Sequence, residues 1–377
     1  MMRSNRNIML WVGAFFCFNV LQPVYIWSFA SLSNMISLGV ILLLCIINIQ
    51  LKTDFSKAYY IIVYVFLAFI SGQNILSFLG CALLFFLMLA KDDFLKELYD
   101  KFITVFVLFT TVSLVVFFLV QLRIPIGYSI INPLNSLLEV SYKHYPFLVV
   151  INTLDYYRFM GLFDEPGVMG TLCSAILLMK KFDFTDRRNI LILIFGIFSF
   201  SLVFYVVAAL FVVLFAPTKY KIITVVTLSL LLFALPNLGL LDQYIFARLN
   251  IANGKFVGDD RLVWDFDESW YERYKHSSDF YWGLGREAKS IYNSGGSSYI
   301  DLLIMYGLIF TIFYSLAFIV DAFKRIKPDY KNLAVYLLIF ISIMYQRPYI
   351  TNIGYVMMLY IPIIFLSKKK KLSYERK

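Results

Sequence analysis

Long stretches of this chain carry almost no charge, and that limits its fold more than any motif does. Apolar blocks recur at about 8–27, 32–50, 58–71, 74–90, 102–121, 167–180, 189–202, 203–216, 220–240, 298–322, 332–347 and 349–367. Roughly 20 apolar residues cross a bilayer as a helix, or about 17 if upright. In lipid a helix satisfies its own backbone groups, so blocks of this kind are read as helices. The expected fold class is therefore an all-α polytopic membrane protein of about 12 transmembrane helices, a single integral membrane domain over 1–377. Several blocks are short. Residues Asn189 to Ala216 read either as one long tilted helix or as two short ones turning near Ser199-Phe200-Ser201. The first block has Gln22-Pro23 near its end and no small-residue cleavage site, so it reads as a retained span rather than a signal peptide.

Composition matters where partners are concerned. The chain is 60% hydrophobic and 15% charged, with a net charge of +10. A globular domain has about a quarter of its residues charged. The placement of lysine and arginine sets orientation. With twelve spans, 23 of the 34 basic residues fall in the segments on one side, which the rule makes cytoplasmic together with both termini. The other 11 lie in the loop 122–166, in the loop 241–297 and at Arg347. The net charge is thus an orientation signal, with weak attraction to anionic lipid from the Lys368–Lys371 tail. It does not point to nucleic acid. Cys17, Cys45, Cys81 and Cys173 all sit in apolar blocks and say nothing of a redox compartment. The blocks contain essentially no ionisable group at mid-depth, which argues against an ion-coupled transporter. Asp301 lies one turn into its span, near the outer interface.

The two long outer loops hold the candidate chemistry. In the first, Arg158-Phe-Met-Gly161-Leu-Phe-Asp164-Glu165-Pro166-Gly167 starts a helix, with proline at its first position and Glu165 or Asp164 as N-cap. It reads as a helix cap beside a salt-bridging arginine, or as a carboxylate fixed at the rim to take a proton from a hydroxyl. The helix end favours the ionised form, so Glu165 suits a base or an orienting group. The second loop carries Arg248, Arg261, Arg273 and Arg286. Arginine binds phosphate bidentately and stays charged, so the set suits a pyrophosphate at the membrane surface. Asp259, Asp260, Asp265, Asp267, Glu268 and Glu272 could equally neutralise it within the loop. Trp264, Phe266, Trp270, Tyr271, Tyr274, Phe280, Tyr281 and Trp282 form either an interfacial belt or stacking surfaces for sugar rings, and Trp264, Tyr271 and Tyr274 could share one helical face. Gly283-Leu-Gly285 alone is a turn signal. His144 and His276 lie in different loops without metal-ligand spacing, so no metal site is expected.

Arg261-x-x-Trp264, Trp282-Gly-Leu-Gly285, and Ser298-Tyr299-x-x-Leu-Leu followed by Met-Tyr-Gly307-Leu resemble the last large outer loop of O-antigen polymerases and O-antigen ligases. Arg158-x-x-Gly161-x-Phe163-x-Glu165-Pro166 is similar to the start of the mid-chain helix in the polymerases. Twelve spans with large periplasmic loops after the fifth and ninth match their layout. There is one departure. Ligases usually place a histidine just before the Tyr-Leu-Leu element, where this chain reads Gly296, Ser297 and Ser298. That favours a polymerase.

The resemblance implies a multispan glycosyltransferase of the bacterial inner membrane that needs no cofactor or metal. A growing glycan would leave its undecaprenyl pyrophosphate carrier for a hydroxyl on the next lipid-linked repeat unit. Expected catalytic residues are Glu165, Arg158 and Arg261. Expected substrate contacts are Arg248, Arg286, Arg273, Trp264, Tyr299 and Asp301, with Asp301 also an alternative base. Expected partners are the lipid-linked oligosaccharide, membrane lipid, a chain-length regulator and a flippase. An O-antigen ligase and a lipid-linked oligosaccharide flippase remain the alternative readings.

Overall fold

The computed structural model describes residues 2–50, 83, 85–132, 141–152, 158–215, 251–252, 255–256, 268–285, 288, 299–327, 329–347, 350 and 352–367. The described chain is mostly helical. Among the described residues, three helices are long and apolar enough to cross a membrane: Val24–Ile47, Asp92–Gln121 and Tyr299–Ile326. Three shorter apolar helices accompany them, Pro166–Met179, Leu202–Phe215 and Ile353–Leu366. The expected spans at 58–71 and 220–240 lie outside the described residues. Leu32, Leu43, Leu108, Val115 and Val213 are large apolar side chains left exposed on these helices. So much exposed apolar surface suits lipid rather than water.

The first expected span is shorter than its apolar block. Helix α1 (Met2–Asn19) ends before Gln22, which turns the chain at φ 58°, and Pro23. Proline disfavours helix in the residue before it. The chain resumes as a 3-10 turn (Val24–Phe29) that runs into α2 (Ala30–Ile47). Helix α3 (Asp92–Gln121) is longer than its block, because Asp92 and Asp93 extend it at its positive end. At 30 residues it is about 45 Å long and exceeds a hydrocarbon core of about 30 Å.

Helix α4 (Pro166–Met179) is the centre of the bundle, and all fourteen of its residues are buried. A helix apolar all round belongs inside. It packs on α5 (Arg187–Phe198), α6 (Leu202–Phe215), α10 (Tyr330–Gln346) and α11 (Ile353–Leu366). Between the two readings of 189–216, the structure takes two helices: Phe200, at φ 46°, turns the chain between α5 and α6.

The segment expected as a plain outer loop is structured, so "all-α" needs amending. Strands β1 (Ser129–Ile131), β2 (Tyr142–Tyr145) and β3 (Leu148–Ile151) form an antiparallel sheet in the order β1-β2-β3. A second, two-stranded ribbon joins β4 (Ile251–Ala252) to β5 (Lys255–Phe256). After β3 the strap 158–163 is buried: Phe159 and Met160 are 0% exposed and Phe163 is 1%. Several of its backbone groups pair with other elements. Phe159 N–H donates to Phe198 O at 2.8 Å, Gly161 O accepts from Val149 N–H at 2.9 Å, and Leu162 O accepts from Val24 N–H at 2.7 Å. Buried backbone needs such pairing. The apolar Phe-Met-Gly-Leu-Phe run within the loop was the signal for it.

The other long loop meets the bundle at a broken helix. Helix α9 (Tyr299–Ile326) is interrupted at Gly307, whose φ of 78° and ψ of 169° are not helical. That backbone region belongs to glycine. The break strips the carbonyls of Leu303, Ile304 and Met305 of their helical donors. Tyr274 Oη of α7 (Glu268–Lys275) donates to Leu303 O at 2.8 Å. Just after α8 (Asp279–Trp282), Leu284 and Gly285 N–H donate to Ile304 and Met305 at 2.8 and 3.0 Å. Gly283 and Gly307 let the two backbones touch: a Cβ on either would stand 2.5 Å from backbone atoms of the other segment. The two glycine motifs of the sequence are therefore two halves of one clamp.

The opposite end of the bundle is ionic. Lys180 and Arg188 pair with Asp100 at 3.2 and 2.9 Å, and Arg188 pairs with Asp186 at 2.6 Å. Arg325 pairs with Asp92 and stands 3.8 Å from Asp321, which is only 9% exposed. The sequence reading passed over Asp321 as part of an apolar block; it lies within reach of Arg325, one helical turn on.

Gly307→Ala is expected to destabilise the protein by at least about 2 kcal/mol, from strained backbone together with overlap. Gly39→Ala, where an added Cβ meets nothing within 4 Å, serves as the control. Thermal unfolding in detergent measures both.

Candidate functional site

Three helix ends meet at one end of the bundle: the starts of α4 and α9 and the finish of α10. Arg347 follows the last residue of α10 and donates its N–H to Ile343 O at 2.7 Å. Its guanidinium reaches across to Glu165, the N-cap of α4. Nη1 donates to Oε1 at 3.2 Å, and Nη2 donates to Oε2. This is the arginine fork on a carboxylate, which carries geometry as well as charge. Arg347 is 4% exposed, while the Glu165 side chain keeps 36% of its surface.

The helix poles favour the pair. A glutamate at a helix N-terminus and an arginine at a helix C-terminus each meet the opposite partial charge. Space is made by Gly167, where an added Cβ would stand 2.8 Å from Arg347 Nη2 and 3.1 Å from Gln346 Nε2. Glu165 is extended at φ −143° and makes no side-chain cap hydrogen bond. The expected cap is thus one of position only. Its carboxylate goes to the guanidinium because a doubly charged bond outcompetes a bond to a neutral N–H.

Asp164 precedes this pair and is half-buried. Burial first, and then the negative charge of Glu165, raise its carboxyl above the ordinary carboxylate value; Arg347 pulls the other way. The net shift is upward, so Asp164 contributes stability at acid pH and loses that contribution as the pH rises through its folded value.

Arg158 is 7% exposed and sits one layer in. Its Nε donates to Ser199 O at 3.4 Å and its Nη2 to Phe200 O at 3.2 Å. These carbonyls lie at the end of α5, where a helix has no donors of its own left. Arg158 therefore closes that helix and ties the strap to the turn. Gly170 of α4 faces the same turn, with Ser201 against it.

Tyr299 opens α9 and stacks on Tyr345 of α10, with ring centroids 5.7 Å apart and planes 21° apart. Both are 44% exposed, and Tyr345 lies two residues before Arg347. Asp301 shares the first turn of α9 but is only 5% exposed. Tyr271 lies close by: burial, then Tyr299 and Glu272, push its hydroxyl up. Tyr274 is buried and stacks on Trp270 at 5.3 Å. Arg273 is exposed on α7 and donates to Ser269 Oγ at 3.4 Å. Arg248, Arg261, Arg286 and Trp264 lie outside the described residues.

The structure thus joins Glu165 to the Tyr299 stack through α10, with Asp301 in the same first turn of α9 as Tyr299 and Arg158 behind. Sequence reading missed Arg347 and Tyr345 as site residues. Arg347 was legible only as a basic residue at the outer end of a block that is otherwise uncharged after Lys331. Among the described residues no group of three or more histidines, cysteines or carboxylates could hold a metal ion. No family model, curated protein or solved structure matches the chain.

Glu165→Ala is expected to cost about 3 kcal/mol, because it strands the buried Arg347 charge. Arg347→Met should cost less, since Glu165 keeps over a third of its surface in water. The double variant should be more stable than the sum of the two costs implies. Unfolding of all four proteins in detergent closes the cycle.

Proposed function

We propose that this chain polymerises lipid-pyrophosphate-linked oligosaccharide repeat units by glycosyl transfer at the outer face of the bacterial inner membrane, as a twelve-span enzyme with both termini inside. The observation that most supports the reading is the forked Glu165–Arg347 pair beside the open Tyr299–Tyr345 stack, at the end of an apolar helical bundle. Charged groups next to exposed aromatic faces suit a substrate that joins a sugar to a phosphate. The segmented resemblance to O-antigen polymerases points the same way.

The chemistry asks little of the protein. Lipid pyrophosphate is a good leaving group, and fixed cations stabilise its developing charge without a metal. Arg248, Arg261, Arg273 and Arg286 are the candidates for this. Arg158 frames the end of the bundle from which they would work. Trp264 and Tyr299 are candidates for stacking on sugar rings, and Asp301 stays an alternative carboxylate. The ligase reading shares the loop motifs but lacks the histidine. The flippase reading expects two similar halves, and the chain shows no internal repeat.

Purified protein is expected to lengthen lipid-linked repeat units in excess chelator. Full loss of activity with EDTA, restored by a divalent ion, would refute metal-independence. Losing one charge-assisted bond in the transition state costs about 2–4 kcal/mol, or roughly 30- to 1000-fold in rate. Arg261→Lys should fall in that range and Arg261→Ala below it, at normal levels of inserted protein. For orientation, Ser277→Cys is expected to react with a membrane-impermeant thiol reagent in intact spheroplasts, and Thr185→Cys is not. The reverse pattern would overturn the topology.

A further inference from the structure

The end of the bundle opposite Glu165 holds a cavity that the proposed reaction does not use. Its volume is about 280 Å³, close to the lower bound of small-ligand sites, about 300 Å³. The described residues that line it come from three helix ends: Asn5, Arg6 and Met9 of α1, Ile47 and Asn48 at the finish of α2, and Phe94 in the first turn of α3. Helix α1 packs on both of the others. Asn48 Nδ2 donates to Leu44 O at 2.8 Å, and Asn48 O accepts from Lys91 N–H at 3.0 Å, so the end of α2 is tied to the start of α3.

Depth and charge narrow the occupant. Lys101 Nζ stands 4.7 Å from the centroid of the Trp11 ring. A tryptophan beside a lysine marks a membrane interface. Arg6 precedes Trp11 on α1 by five residues, about 7.5 Å further out along the helix. That is the depth of phospholipid headgroups, which add roughly 5–7 Å on each side of the hydrocarbon. Arg6 Nη2 pairs with Glu97 Oε2 at 3.0 Å, and both side chains stay about half exposed. Lys91 and Asp93, both exposed, add one charge of each sign at the start of α3. The rim is therefore balanced, which suits a zwitterion better than an anion. On the apolar side, Ile8, Val12 and Phe15 share one exposed face of α1, and Leu43, Ile46 and Ile47 are exposed on α2.

We propose that this cavity binds one phospholipid whose head carries a phosphate and a primary ammonium, a phosphatidylethanolamine. Arginine has five N–H donors, so a phosphate can share the Arg6 guanidinium with Glu97. The ammonium has three donors, for Glu97 and for the exposed side-chain amide of Asn5. Phosphate, Arg6, Glu97 and ammonium then alternate in charge. Met9, Ile47 and Phe94 receive the glycerol end, and the acyl chains follow the exposed faces of α1 and α2. A quaternary ammonium has no N–H to give to Glu97, and a purely anionic head sets a second negative group against it. The inference stands on the membrane reading and does not depend on the polymerase reading.

The test is lipid binding by the full-length protein, purified in detergent and stripped of lipid. It is titrated with phosphatidylethanolamine, phosphatidylcholine or phosphatidylglycerol of matched acyl chains, and binding is read by native mass spectrometry. Phosphatidylethanolamine should bind once per chain, at least about tenfold more tightly than the other two. Arg6→Ala should weaken it by at least about tenfold. Glu97→Gln should bring phosphatidylethanolamine down to the level of phosphatidylcholine, because only the ammonium contact is lost. Lys324→Ala, on α9, should leave binding unchanged. A wild-type protein that prefers phosphatidylglycerol, or that holds the three lipids equally, would overturn the proposal. So would a Glu97→Gln protein that still prefers phosphatidylethanolamine. These two results decide the matter even where Arg6→Ala fails to insert.

Discussion

The end of the bundle that carries the candidate site depends on one ion pair whose arginine is buried. Removing an arginine from water is expensive, and only a well-placed partner offsets it. Here the offset comes from a fork, from two helix poles of opposite sign, and from a glycine that leaves room. The pair also decides how α4 and α10 lie against each other, because it joins the start of one to the finish of the other. Helix α4 is buried on every side, so whatever fixes α4 fixes its neighbours.

The remaining constraint is to leave no buried backbone group without a partner. The strap 158–165 meets it by borrowing partners from β3, from the α5–α6 turn and from the entry to the first 3-10 turn. The break in α9 meets it by borrowing Tyr274 and the backbone of Leu284 and Gly285. The first device ends at Glu165, and the second holds the turn after α8 against α9, the helix that Tyr299 opens. A site built this way is held by main chain from several elements and does not rely on the loops alone.

Much of this was legible in the sequence, and the reasons for the failures are physical. The helix starting at Pro166, the turn at Ser199–Ser201 and the helical blocks themselves follow from local chemistry: proline at N1, a Ser-Phe-Ser break, apolar runs. Helix ends moved where a proline cut α1 short and where acidic residues lengthened α3. The partner of Glu165 was not legible, because it lies 182 residues away and only folding brings the two together. The pairing of Gly283 with Gly307 was hidden for the same reason; each glycine alone reads as a turn or a tolerated helical residue. The sheet went unseen because β1, β2 and β3 are three or four residues long, too short for alternation to stand out.

The central claim is that this chain joins repeat units, rather than attaching finished chains or carrying single units across the membrane. Deleting the chain from its own cell and analysing the lipid-linked glycans tests that claim most directly. The account predicts single repeat units accumulating on the outer face, with surface glycan reduced to one unit. Long lipid-linked chains left undelivered would contradict it in favour of a ligase, and single units held at the inner face would contradict it in favour of a flippase.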